Sequence, residues 1–187
     1  MKTDNLPDNK IKKEFEVLSG SFVLLLDTHA ENYFESVMDS ADFMSGKGKK
    51  GVYVTISRPY RYLSKEMQKR GIKTENIIFI DCISSMAGEH GSENCVLVEN
   101  PAALEEVSMH ISSSLSKIKS GEKFLIMDSI STLLIYNSLN SVKEFSMFLI
   151  NKLRLEGVDG VLVTLGKESP EDLKQILIAM CDKVIYV

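Results

Sequence analysis

Five short apolar runs in this chain end in residues able to bind, coordinate or transfer protons. Asp27-Thr28-His29 follows Phe22–Leu26, Ser57-Arg58-Pro59-Tyr60 follows Val52–Ile56, and Asp81-Cys82 follows Ile77–Ile80. Asp128-Ser129 follows Phe124–Met127, and Gly166-Lys167-Glu168 follows Val161–Leu165. If these runs are strands of an open parallel sheet, their carboxyl ends are where a ligand binds. The stretch FLIMDSI (Phe124 to Ile130) has the form of a strand that delivers an aspartate to Mg²⁺, usually through water. An aspartate in that place also serves as the N-cap of a following helix. Thr28, Ser57 and Asp128 are therefore the candidate ligand-binding side chains, and the pattern assigns no catalytic residue and no metal site.

Other constellations are less specific. Cys82, His90 and Cys95, with Glu89 and Glu93 nearby, are spaced C-x₇-H-x₄-C, which is not a compact structural-zinc pattern. Buried thiols and a solvated loop histidine account for them. No spacing brings a histidine to a cysteine, and no GxSxG elbow or GxGxxG loop occurs. Arg61, Lys65 and Lys69 stand at i, i+4 and i+8 beside Tyr60, Tyr62 and Arg70. They make one helix face, either plainly solvated or a docking surface for an acidic partner.

Elements that would position these residues follow from the hydrophobic pattern. The apolar runs, with a sixth at Val184–Val187, have the length and β-branched content of strands buried on both faces. Helical spacing lies between them, as in Tyr33, Val37, Met38 and Ala41, or Phe145, Phe148, Leu149, Leu153 and Leu155. Strand and helix alternation predicts a parallel sheet covered on both faces. Gly71 and Gly157 read as left-handed helix stops, Ser169-Pro170-Glu171-Asp172 as a capped helix start, and Asn100-Pro101 as the start of a helix to about Ile118. Residues 88–94 read as a mobile loop, with a short extra strand over Cys95–Val98.

Composition sets the outer bounds. The 187 residues carry 22 Lys+Arg against 26 Asp+Glu, a net charge of −4, and 44% are apolar. Residues 1–73 hold 13 basic and 10 acidic groups, too mild a bias for a nucleic-acid binder. Three cysteines fit reduced thiols. No membrane-length apolar run occurs and Met1 to Lys13 is polar, so a cytoplasmic protein without membrane or nucleic-acid partners is expected. Residues 1–15 are expected to be a ragged polar segment and 16–187 a single α/β domain.

The stretches FLIMDSISTLLIYNS, KEFSMFLINKLRLEGVDGVLVTL and DLKQILIAMCDKVIYV resemble the Walker B half of KaiC-like ATPases of the RecA superfamily. Upstream, GVYVTISRPYRYLSKEMQKRGIKTENIIFIDCIS is similar to the corresponding region of archaeal KaiC-like proteins. The resemblance covers roughly 21–187 and implies a three-layer α/β sandwich with a mainly parallel RecA-like sheet. It also implies an ATP and Mg²⁺ site, with Asp128 at the Walker B position. Two departures oppose that site. The first strand leads into Asp27-Thr28-His29-Ala30-Glu31-Asn32-Tyr33, with no GxxxxGK[ST] loop to cradle phosphates and two carboxylates where a polyphosphate would sit. The second strand ends in Ser57-Arg58-Pro59, where such ATPases place a glutamate pair, and an arginine accepts no proton from water. The cluster Ser45-Gly46-Lys47-Gly48-Lys49-Lys50 precedes strand two and reads as a solvated loop.

The expectation is therefore a degenerate KaiC-like domain without ATPase activity or cofactor, of archaeal type, acting in signalling through a protein partner, with a homo-oligomer also open to it. The alternative is an ATP-binding protein that uses Asp128 for Mg²⁺ and completes its site across a subunit interface. A third reading is a small-ligand sensor using Thr28, Ser57 and Asp128.

Overall fold

The computed structural model describes residues 7–119 and 121–187. Its strands are β1 (Val23–Thr28), β2 (Lys50–Thr55), β3 (Ile77–Asp81), β4 (Cys95–Leu97), β5 (Lys123–Asp128), β6 (Asp159–Leu165) and β7 (Lys183–Tyr186). Its α-helices are α1 (Pro7–Glu16), α2 (Tyr33–Gly46), α3 (Tyr60–Lys69), α4 (Leu104–Lys117), α5 (Leu139–Glu156) and α6 (Glu171–Met180). The strands form one sheet in the order β4-β3-β2-β5-β6-β1-β7, and every neighbouring pair is parallel. This is the predicted three-layer α/β sandwich, with all six expected strands and the short β4 within a residue or two of their expected places.

Each central strand is apolar on both sides because each sheet face buries its own core. One core collects Ile11 and Phe15 of α1, Val37, Met38 and Ala41 of α2, and Leu63 and Met67 of α3. The other takes Val107, Ile111 and Leu115 of α4, Val142, Phe145, Leu149 and Leu153 of α5, and Leu173 and Leu177 of α6. Residues 7–15, expected to be ragged, are helical because Ile11 and Phe15, four apart, bury one stripe against the sheet face that α2 covers. Residues 1–6 of that expected segment lie outside the described residues.

Punctuation follows the sequence in two places and departs in two. Gly157 (φ 64°) and Gly71 (φ 74°) are the left-handed stops after α5 and α3, where other residues are strained. Ser169 does not cap α6. Its hydroxyl is buried, bonds Leu165 O at 2.9 Å and pairs with Ser131 Oγ at 2.6 Å, and the helix begins after Pro170. Asn100 Oδ1 accepts the Ala102 N–H at 2.9 Å, making an Asx turn that delays α4 to Leu104.

Candidate functional site

The chain leaves β2 toward β3 and leaves β5 toward β6, on opposite sides of the β2–β5 pair. The carboxyl ends of these two strands thus flank a topological switch point, the place where a parallel sheet opens a crevice. Thr55 and Asp128 lie opposite each other there in register.

Four side chains meet at this point. Asp128, 1% exposed, accepts a hydrogen bond from Tyr53 OH at 2.6 Å on one oxygen and from Ser57 Oγ at 3.1 Å on the other. Tyr33, at the start of α2, donates its hydroxyl to Ser57 Oγ at 3.3 Å. The Asp128–Ser129 peptide is cis. Burial pushes the Asp128 carboxyl up to about 8, and burial likewise raises the Tyr53 phenol, opposed by the nearby Arg58 charge. Burial thus favours the protonated form, and both oxygens of the carboxyl are engaged by hydroxyls of this chain.

Arg58 turns away from the carboxyl. Its guanidinium lies over the Phe34 ring at 4.6 Å and the Tyr33 ring at 5.5 Å, cation–π contacts that fix the β2–α3 turn against the start of α2. Asp81, buried beside this turn, accepts the N–H groups of Tyr60, Ile83 and Ser84 and the Ser84 hydroxyl, at 2.6 to 2.9 Å. It anchors loops and has no oxygen to spare.

Of the three predicted binding residues, Ser57 and Asp128 come together and Thr28 does not join them. Strand β6 stands between β1 and β5, and the Thr28 hydroxyl is spent on the carbonyl of His29 at 2.9 Å. The carboxylates of the β1–α2 turn also separate. Asp27 accepts the Thr164 hydroxyl at 2.8 Å across β6, while Glu31 is exposed. Tyr53 and Tyr33 were not singled out by sequence reasoning as parts of the site. The one available signal was an aromatic residue inside the otherwise aliphatic and small run of β2.

The remaining constellations take structural places. Cys82 belongs to one core and Cys95 to the other, so the two cannot share a metal ion. Among the described residues no three His, Cys, Asp or Glu side chains converge as metal ligands. Lys49, from the glycine–lysine cluster, is not solvated as expected. It pairs with buried Asp159 at 2.5 Å and Glu122 at 2.8 Å, and these partners raise its pKa against the opposing effect of burial. The basic face of α3 is partly neutralised, with Arg61 on Glu89 at 3.0 Å and Lys69 on Glu66 at 2.6 Å. Among the described residues no helix is long and apolar enough to cross a membrane.

Comparison with known proteins agrees with this geometry. The KaiC-like protein PH0186 of Pyrococcus horikoshii is similar over 90% of this chain and 72% of its own, with a TM-score of 0.64 and 19% identity. The uncharacterized protein PH0321 of the same organism, solved in complex with an unknown peptide, is similar over 95% and 82%, at TM-score 0.69 and 10% identity. The flagellar accessory protein FlaH of Methanocaldococcus jannaschii is similar over 97% and 78%, at TM-score 0.65 and 11% identity. These likenesses establish the fold. No curated protein matches the sequence. A family model described as "ATPase: KaiC" matches residues 41–185, more than three quarters of the chain, and with a Walker B-like aspartate at the switch point of a RecA-like sheet this chain belongs to the KaiC ATPase family.

Proposed function

We propose that this member of the family does not hydrolyse ATP and serves as a regulatory or protein-interaction module in cytoplasmic signalling. One observation carries the reading. The aspartate that would hold Mg²⁺ is a carboxyl buried among hydroxyls, one oxygen bonded to Tyr53 and the other to Ser57, and burial favours its neutral form. That donor set does not fit a magnesium ion, which requires an ionised carboxylate and room for its waters. The turn after β1 agrees with this, since its residues 27–32 contain no glycine and no lysine to meet phosphate oxygens. The base on the attacking water has no counterpart at Ser57-Arg58.

The test is an isothermal titration of the purified protein with ATP and Mg²⁺, across protein concentrations that span monomer and oligomer, repeated on Asp128→Ala. The expected result is no heat at millimolar ATP, which bounds binding at less than about 4 kcal/mol. Magnesium-dependent heat that disappears in Asp128→Ala would overturn the reading in favour of an ATP-binding protein. If it also required oligomer, the site would be one completed by a neighbouring subunit.

A further inference from the structure

We propose that the groove between α4 and α5 is a docking site for a basic amphipathic helix of a partner protein. It lies on the sheet face opposite the Tyr33–Ser57–Asp128 cluster and does not depend on whether that cluster meets nucleotide.

The groove exists because the two helices pack on different strands. Helix α4 sits over β2 and β3, and α5 over β1 and β6. Between their amino-terminal halves a concavity of about 770 Å³ remains open. Phe145 and Leu104 form its apolar part together with Met109 and Phe148, which are 70% and 53% exposed. Phe148 and Leu155 both have the helical spacing of core residues, yet they face solvent, with Leu155 88% exposed one heptad further along α5. Two neighbouring helices thus present apolar side chains that this chain leaves uncovered. Methionine and phenylalanine are the residue types that adapt to and anchor a docked helix.

The charge around this surface is of one sign. Glu105, Glu106 and Glu144 line the groove, and no lysine or arginine does. Among the described residues Glu105 and Glu144 take part in no ion pair, and Glu106 meets only His110, at 3.5 Å, and the Glu99 N–H. Glu105 and Glu106 have a local reason to be acidic, since they stand in the first turn of α4. Glu144 is six residues into α5 and has none. An apolar floor between carboxylates that no lysine or arginine of the groove neutralises matches a helix with an i, i+3/i+4, i+7 apolar stripe flanked by Lys and Arg. An acidic partner or a nucleic acid would meet like charge.

The probe is a fluorescein-labelled Leu/Lys amphipathic helix of about 18 residues, long enough to span the exposed length of α5. Its control is a peptide of the same composition with the order scrambled. Binding by anisotropy, with a dissociation constant of about 10⁻⁵ M, is expected for the patterned peptide and roughly tenfold weaker binding for the scrambled one. Phe148→Ser and the double charge reversal Glu105→Lys/Glu144→Lys each alter exposed side chains, so their far-ultraviolet circular dichroism should match the parent, with only the charge reversal melting slightly lower because it places a cation in the first turn of α4. Each should weaken binding by about tenfold or more. Equal binding of patterned and scrambled peptides, or Phe148→Ser binding like the parent, would overturn the proposal. So would concentration-dependent dimerisation that Phe148→Ser abolishes, because the occupant would then be a second copy of this chain. Nucleotide is absent throughout, so a failure here is distinct from a failure of the non-hydrolysing reading.

Discussion

Asp128 ends a strand whose four preceding residues, Phe124 to Met127, are fully buried, and its hydrogen-bond partners are hydroxyls. An unfolded chain releases this proton near the ordinary value of 3.8, whereas the folded chain keeps it to about 8. Between those values the folded state binds more protons, so this group's contribution to stability falls as pH rises from about 4 to about 8 and is level beyond either end. Asp128→Asn abolishes that titration. Both hydrogen-bond partners are hydroxyls, which rotate to serve an amide as donor or acceptor. The variant should therefore gain stability over the parent as pH rises, by about 4 kcal/mol between about pH 5 and about pH 8 in urea unfolding. A difference that stays constant across that range would mean the carboxyl is ionised in the folded protein. Sequence pattern located Asp128 at a strand end, and the carboxylates Asp27 and Glu31 beside another strand end were equally visible. That the carboxyl would be bonded by Tyr53 and by Ser57, itself bonded by Tyr33, was not legible, because these bonds span 75, 71 and 24 residues.

At the scale of elements, β2 and β5 form the seam on which the site stands, and their contact depends on a missing side chain. Gly51 lies opposite Phe124, and a Cβ at residue 51 would stand 2.4 Å from Phe124 Cγ and 2.5 Å from its carbonyl oxygen. Gly51→Ala is expected to cost about 3 kcal/mol through overpacking and to lower the thermal midpoint accordingly. Adding Phe124→Leu should restore only part of the loss, since the clash with the main-chain oxygen remains. A wild-type melting curve for Gly51→Ala would show that the two strands separate without cost. Gly160 plays the matching part on β6, where a Cβ would meet Leu153 of α5 at 2.8 Å. Helix spacing was legible for both sides of the sheet, but it overcounted the core of α5. Phe148 has the interval of a core residue and only the gap between α4 and α5 leaves it outside.

At the scale of the whole molecule, the sheet separates two cores, and its cysteines are distributed between them. Cys82 lies in the core under α4, α5 and α6, and Cys95 in that under α1, α2 and α3. Burial raises all three thiols, Cys95 and Cys181 to about 12, so little thiolate exists at neutral pH. Labelling of the native protein with a thiol reagent should reach half-buried Cys181 first. Modification of Cys82, followed by peptide mass spectrometry, should rise with urea in step with the loss of helix signal. Fast labelling of Cys82 without denaturant would mean that its sheet face opens locally.

What the amino-acid order determined by itself is local: the apolar runs that become strands, the helix periods between them, the glycine stops at Gly71 and Gly157, and the polar residues at strand ends. These depend on backbone preference and on nearest neighbours along the chain. Strand order is different, because it is decided by which buried surfaces fit together once all the elements are present. That order put β6 between Thr28 and Asp128, brought Tyr53 and Ser57 onto the Asp128 carboxyl, and left a groove with Phe148 in it. The site and the proposed docking surface thus arise from contacts between segments far apart in sequence, which no local pattern contains.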